Sequence, residues 1–433
     1  MSMRKVFFGV FAGVLAVAYL SGSICYAGKT EVISVDIAGK LGNGQSAEPA
    51  ISADGRYIAF RSSASNLVPD DTNGKDDIFV HDRKTGETTI ISKNNADKLG
   101  NDGSSHPAIS ADGRYVAFQS SASNLVTGDI NDKMDIFVHD RRTGKTKIIS
   151  KGSAGKLGNN DSSKPAISAD GRYVAFQSLA SNLVPGDIND KMDIFVHDRL
   201  TGKTKIISKD SAGKLGNNDS SNPAISADGR YVAFQSSANN LTPGDTNDKT
   251  DVFVHDRRTG QTTLISKDSA GKLGNNDSSN PAISADGRVV PFRSSASNLA
   301  PGDTNDKTDV YVHDRRTGQT TLISKDSAGK AANGASDIPF ISADGRFVAF
   351  QSDANNLVPG DTNGQEDAFI HDLQTGVTEI VSTDSNGIQG NAGGCFTPSI
   401  SGDGRYVAFE TEAGNLVPGD TNGVSDVFVR DRR

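Results

Sequence analysis

The chain contains no tryptophan, only two cysteines in 433 residues, and 6% aromatic residues. Cys25 lies in a leader-like segment, so Cys395 stands alone in the remainder and no intramolecular disulfide is possible there. Hydrophobic residues amount to 35%. Asp, Asn, Ser and Gly take their place, which favours short strands, tight turns and polar loops over helices. After the first residues, no apolar run approaches the roughly 20 residues a membrane helix needs. No membrane span is therefore expected in the mature chain. Positive charge is also short: 45 Lys and Arg face 53 Asp and Glu, for a net charge of −8. Affinity for nucleic acid comes mainly from Lys and Arg on phosphates, so nucleic acid is not an expected partner.

Arg4 and Lys5 precede an uncharged apolar stretch, Val6 to Leu20, and Cys25-Tyr26-Ala27 supplies a small-residue cleavage site. Residues 1–27 read as a signal peptide, with Gly28 as the mature start and a periplasmic or secreted location. Losing Arg4 and Lys5 moves the net charge from −8 to −10.

What the chain has in abundance is repetition. Ile-Ser-Ala-Asp-Gly-Arg begins at Ile51, Ile109, Ile167, Ile225, Ile283 and Ile341, every 58 residues, and Ile-Ser-Gly-Asp-Gly-Arg begins at Ile400 after 59. Seven copies, starting near Pro49, Pro107, Pro165, Pro223, Pro281, Pro339 and Pro398, fill residues 28–433. A fixed period of this size marks a solenoid, a propeller or an array. In the third copy, Pro165 to Ser168 is a short strand, and Asp170-Gly171 is a hairpin turn in which Gly tolerates positive φ. Tyr173 to Ser178 is an aromatic and β-branched strand. After a polar loop come Asp193 to Asp198 and Lys203 to Ser208, joined by a turn at Thr201-Gly202. Four short strands with two tight turns and two long loops form an antiparallel meander, the blade of a β-propeller. The seventh copy ends after its third strand, Asp426 to Asp431. Lys29 to Ser34 matches the fourth strand of the other copies. The expected fold is therefore all-β, a seven-bladed propeller of four-stranded antiparallel blades, closed by the N-terminal strand.

Ser-x-Asp-Gly-Arg-Tyr-Val-Ala-Phe, followed by Asp-Val-Phe-Val-x-Asp and then Thr-Gly, resembles the WD40-like repeat of the TolB-like propeller family, over all seven copies. The resemblance implies an exported bacterial propeller of six or seven blades. It also implies a platform for protein interaction, with enzymes among related propellers. Two features depart from the TolB protein: no separate α/β domain precedes Pro49, and each copy carries a longer Asn-Leu-x-x-Gly-Asp-x-Asn loop.

Both long loops of every blade are expected on one face. The second-to-third-strand loops carry Asp71/Asn73/Asp77, Asp129/Asn131/Asp135, Asp187/Asn189/Asp193, Asp245/Asn247/Asp251, Asp303/Asn305/Asp309, Asp361/Asn363/Asp367 and Asp420/Asn422/Asp426. Asp-x-Asn-x-x-x-Asp offers oxygen ligands at alternate positions, as calcium requires. It is shorter than an EF-hand loop and lacks the closing Glu. Side-chain-to-backbone turn bonds explain the same pattern. His81, His139, His197, His255, His313 and His371 recur one per blade, with Arg430 in the seventh place. Spread round the ring, they read as strand-surface residues rather than metal ligands, and His106 reads as a solvated loop residue. The sequence has no Gly-x-Ser-x-Gly, no His-Glu-x-x-His and no phosphate-binding glycine loop. Every candidate acid or base so considered recurs in nearly every copy. The expectation is thus a monomeric, exported, non-enzymatic binding protein or scaffold that meets a protein or cell-envelope ligand through its loop face. The alternatives are a calcium-stabilised structural repeat protein and a propeller-based lyase or hydrolase. The latter needs His or carboxylates gathered at the central channel.

Overall fold

The structure, a computed structural model, describes residues 28–433; the leader expected over residues 1–27 lies outside the described residues. The described strands form seven separate four-stranded antiparallel sheets. Six blades are continuous in sequence, the first running from Ser46 to Ile90. The seventh combines Phe396–Ile400, Tyr406–Thr411 and Asp426–Asp431 with Lys29–Val32. Lys29 pairs with Asp431 and Val32 with Phe428, so the N-terminal strand closes the ring. Just beyond it, Ser34 Oγ donates to Asp426 Oδ1 at 2.5 Å and Ile33 is buried.

The second and third strands are buried because both of their faces meet apolar partners. In blade 3, Phe176 and Phe195 stack with centroids 5.8 Å apart. Each hydrophobic cluster spans two blades. Ala117, Ile136 and Val138 of blade 2, for example, pack with Val174, Phe176 and Phe195 of blade 3. The core therefore lies between blades, which is why no blade can bury its surface alone.

The tight-turn face is tied together by a repeated staple. Arg199 lies over the Tyr115 ring of the preceding blade at 4.1 Å and donates to Gly171 O of its own blade. Gly171 takes a positive φ of 70°, and a Cβ there would meet Tyr115 Cδ2 at 2.2 Å. Only glycine satisfies both demands. Within each blade, a bidentate pair such as Arg172–Asp198, at 2.9 and 2.8 Å, ties the first turn to the end of the third strand.

Blade 5 has a truncated first strand, Ser278–Ser279. Pro291 stands where the other blades have alanine and has no N–H to offer the ladder. Ala282 N still reaches Pro291 O at 3.0 Å.

Candidate channel site

The first strands of all seven blades surround a central channel of about 600 Å³. In six blades this strand carries a bulge, with its register breaking around the Pro of the repeat, as between Ser163 and Ala166, while in blade 5 the pairing ends at Ser279. The residue before that Pro has a positive φ in every blade: Glu48 56°, His106 52°, Lys164 51°, Asn222 52°, Asn280 49°, Ile338 46° and Thr397 45°. All seven line the channel. Left-handed φ is unfavourable for side-chain-bearing residues, most of all for β-branched Ile338 and Thr397. Bulges re-aim side chains, and here the positive-φ residue of each of the seven blades lines one cavity.

The bulge is held by a residue of the preceding blade. Gln119 Oε1 accepts the Lys164 N–H at 2.9 Å, Gln177 that of Asn222 at 2.9 Å, Gln235 that of Asn280 at 3.0 Å and Gln351 that of Thr397 at 3.2 Å. Glu410 accepts the Glu48 N–H in the same way. Arg61 and Arg293 occupy this place in blades 1 and 5 and cannot accept a hydrogen bond. Carboxylates take over: Glu48 Oε2 accepts the His106 N–H at 2.6 Å, and Asp337 Oδ1 accepts the Ile338 N–H at 2.6 Å. Arg61 Nε lies 3.8 Å from Glu48 Oε1, and Arg293 pairs with Asp337.

The ring is chemically uneven. Glu48, His106 and Lys164 come from consecutive blades and form a charged sector backed by Arg61. Lys164 Nζ donates to Asn222 Oδ1 at 2.5 Å, and Asn222 Nδ2 donates to Asn280 Oδ1 at 2.7 Å. Ile338 and the exposed Phe340 make an apolar sector. His106 Nδ1 lies 3.6 Å from Glu48 Oε1. Burial pushes the His106 pKa down, Lys164 and Arg61 add to the fall, and Glu48 opposes it. Burial also lowers Lys164, against the pull of Glu48. Both side chains reach channel water yet are crowded by its wall. Glu410 is pushed up, first by burial. The reading of His106 as a solvated loop residue is thus corrected: it sits in the strand Ser104–Ile109 and faces the channel.

The other six histidines are buried, not on the strand surface. Thr204 Oγ1 donates to Lys151 O at 2.5 Å, so His197 Nδ1, 2.9 Å from Thr204 Oγ1, must be the protonated nitrogen. Burial drives the pKa of His139, His197, His255, His313 and His371 to about 4. Cys395 is buried and its thiol is pushed well up, chiefly by burial, which leaves it unreactive.

The structure brings each loop set together. Asn73 Oδ1 accepts the Lys75 N–H at 3.0 Å, while Asn73 Nδ2 donates to Asp77 Oδ2 at 2.7 Å and Gly100 O at 3.2 Å. Asn131 and Asn189 repeat all three bonds, and so does Asn422. Asn247, Asn305 and Asn363 keep the bonds to backbone. The asparagines thus close the loop and tie it to the next one. The second Asp is held by serine: Ser92 Oγ donates to Asp77 Oδ1 at 2.5 Å. Asp77, Asp135, Asp193, Asp309 and Asp426 are pushed up to about 6, with burial the largest cause. Among the described residues, no group of three or more His, Cys, Asp or Glu is placed to hold a metal ion.

Sequence reasoning missed the channel ring, although its signal was present. When the seven copies are aligned, the position before each Pro reads Glu, His, Lys, Asn, Asn, Ile, Thr. The Pro and Ile that follow are the same in all seven copies.

No family model matches the chain. No curated protein matches it by sequence. Solved structures do match. An oligogalacturonate lyase from Vibrio parahaemolyticus is 13% identical over 93% of this chain and 97% of its own, with a TM-score of 0.54. An oligogalacturonate lyase in complex with manganese is 12% identical over 93% and 96%, with a TM-score of 0.53. The propeller domain of the Trilobed protease from Pyrococcus furiosus is 12% identical over 89% and 95%, with a TM-score of 0.55. A putative TolB from Agrobacterium tumefaciens is also among the matches, at 16% identity and a TM-score of 0.42. The expectation of a non-enzymatic scaffold acting through its loop face is overturned: nearly the whole architecture recurs in lyases. Nor are the candidate acids and bases evenly repeated, because the channel ring is not symmetric. At these identities the likeness is one of fold alone, that of a β-propeller.

Proposed function

We propose that the chain is an enzyme whose site is the charged sector of the central channel, and that it acts on an acidic oligosaccharide by β-elimination. The observation that carries this reading is the break in sevenfold repetition at one lining position, which sets Glu48, His106 and Lys164 side by side. The substrate class is the one printed for the lyases of the same architecture. It is matched here by one lining cation, Lys164, beside a histidine whose pKa is lowered.

In this mechanism Lys164 receives the uronate carboxylate and offsets the charge that develops on it when the neighbouring carbon loses its proton, while Arg61, which donates to Asp76 Oδ2 at 2.9 Å, holds Glu48 in place from behind. His106, kept neutral by burial and the adjacent cations, takes that proton as general base. Glu48 fixes the His106 backbone and stabilises the imidazolium that results. The carbon–oxygen bond to the leaving sugar breaks as the carbon–carbon double bond forms, and the departing oxygen takes a proton from water. The manganese printed for one lyase does not fit this channel, because Glu48 and His106 find no third ligand of His, Cys, Asp or Glu type among the described residues. Calcium in the loops belongs to this reading as a structural cation, on the loop face rather than among the reacting groups.

The test is incubation of the mature protein with oligogalacturonate while the ultraviolet absorbance of an unsaturated product is followed. The reading expects product from the wild type and a loss of about 10²–10⁴ in rate for His106→Ala. No product from any uronate oligosaccharide, or equal rates for both proteins, contradicts it.

A further inference from the structure

Five blades carry alanine directly after the Pro of the first strand: Ala50, Ala108, Ala166, Ala224 and Ala282. Blade 7 has Ser399 there, and blade 6 has Phe340. Phe340 pairs with Ala349 as Ala166 pairs with Ala175, so a phenyl ring stands in place of a methyl group at the same register. The side chain lines the channel and is 36% exposed. Among the described residues it belongs to none of the hydrophobic clusters between blades. A single apolar side chain on an open surface needs no explanation. One inside a concave cavity, facing convergent polar groups, has the setting of a ligand contact.

The order of the blades puts Phe340 opposite the charged sector. Blade 6 lies three blades from blade 2 in one direction and three from blade 3 in the other, so it is the blade that faces His106 and Lys164 together. Along one arc between them runs a series of hydrogen bonds. It passes from Lys164 Nζ through Asn222 to Asn280, whose Nδ2 donates to Asp337 Oδ1 at 3.2 Å. Asp337 Oδ1 also accepts the Ile338 N–H at 2.6 Å. The backbone that leads to Phe340 is therefore fixed to the same series as Lys164. It is held by the bulge and not by packing of the ring, which leaves the ring open to the channel.

We propose that Phe340 is a platform on which the C–H face of a pyranose ring stacks, and that it holds the sugar next to the one whose carboxylate Lys164 receives. A pyranose carries its hydroxyls at the edge and a patch of C–H groups on a face. That patch is covered by an aromatic ring through apolar burial and contact with its π face. The uronate at Lys164 rests on the lyase reading above; the platform itself needs only a pyranose. With charge on one wall and an apolar ring on the other, an oligosaccharide lies across the channel in one direction. Such a contact is made equally before and during the reaction, so it acts on KM and not on kcat.

The experiment titrates the mature protein and two variants with galacturonate, trigalacturonate and the neutral maltotriose. Phe340→Ala restores the residue of five other blades, so the fold is not at risk. It should weaken trigalacturonate binding about tenfold and leave galacturonate within about twofold, with KM raised and kcat within about threefold of wild type. Phe340→Trp gives the chain its single tryptophan, since the sequence has none. Its indole emission should shift with trigalacturonate and not with galacturonate. Equal trigalacturonate affinity in wild type and Phe340→Ala, with turnover intact, overturns the platform and leaves the lyase reading standing. An equal loss of affinity for galacturonate and trigalacturonate also overturns it, in favour of a ring that only shapes the channel wall. An indole that responds to maltotriose, in a protein that neither binds nor cleaves trigalacturonate, upholds the platform and removes the uronate. An indole silent to all three sugars overturns the platform whatever the wild type cleaves.

Discussion

Leu373 of blade 6 packs against the cluster that contains Val289 of blade 5, and each departs from its repeat at the place where the other does. Elsewhere this junction is an arginine over the ring of the preceding blade, as Arg315 lies over Tyr231 at 4.3 Å. Here both halves of the staple are replaced together by an apolar pair. Leu373→Arg alone should destabilise the protein by about 1 kcal/mol, because the guanidinium meets no ring. Adding Val289→Tyr should recover about 0.5–1 kcal/mol through a cation–π contact. Urea unfolding of the two single variants and the double variant measures the coupling; additive effects would show that the two positions do not speak to each other.

The closing strand makes a second prediction. Ser34 Oγ is the donor to the fully buried Asp426 Oδ1. Ser34→Ala leaves that oxygen without its donor and should cost about 1–3 kcal/mol. Deleting residues 28–35 also exposes the edge of Asp426–Asp431 and removes Ile33, and should lower the melting temperature sharply. An unchanged melting temperature for the truncated chain would mean that the ring does not depend on the latch.

A third prediction concerns pH. Five buried histidines hold folded pKa values of about 4, below the unfolded value of about 6.5. Between those values the unfolded chain binds protons that the folded chain refuses. These groups therefore remove stability as pH falls from about 6.5 towards 4. The buried carboxyls at about 6, such as Asp193, act in the opposite sense between about 3.8 and 6 and flatten the net profile. His197→Asn isolates the first effect. The stability gap between wild type and variant should narrow as pH falls from 6.5 to 4. A gap that stays constant over that window would show that His197 titrates normally.

The blade count, the strands and the latch were legible because they rest on periodicity and on turn residues with fixed backbone demands, such as Asp170-Gly171. The buried state of His197 was not, since a strand residue's face depends on which neighbouring blade covers it. The channel site was hidden for another reason. Successive members of Glu48, His106 and Lys164 are 58 residues apart in sequence, and only the packing of one blade on the next makes them neighbours. Read singly, each is one polar residue before a proline. The substitution of Arg61 for Gln, which obliges Glu48 to hold the His106 amide, has meaning only once the preceding blade is known to supply the acceptor.

The most direct test of the channel site separates binding from turnover in two variants. Affinity for a trigalacturonate is measured by calorimetry at low salt, and product formation is measured on the same preparations. Lys164→Met removes a cation that receives the carboxylate and should weaken binding about tenfold or more, in line with 1.5–3 kcal/mol for a hydrogen bond to a charged group. His106→Ala should leave affinity within about threefold of wild type while lowering turnover by about 10²–10⁴, since a general base acts in the transition state. Undiminished affinity in Lys164→Met together with undiminished turnover in His106→Ala would contradict the channel as the site.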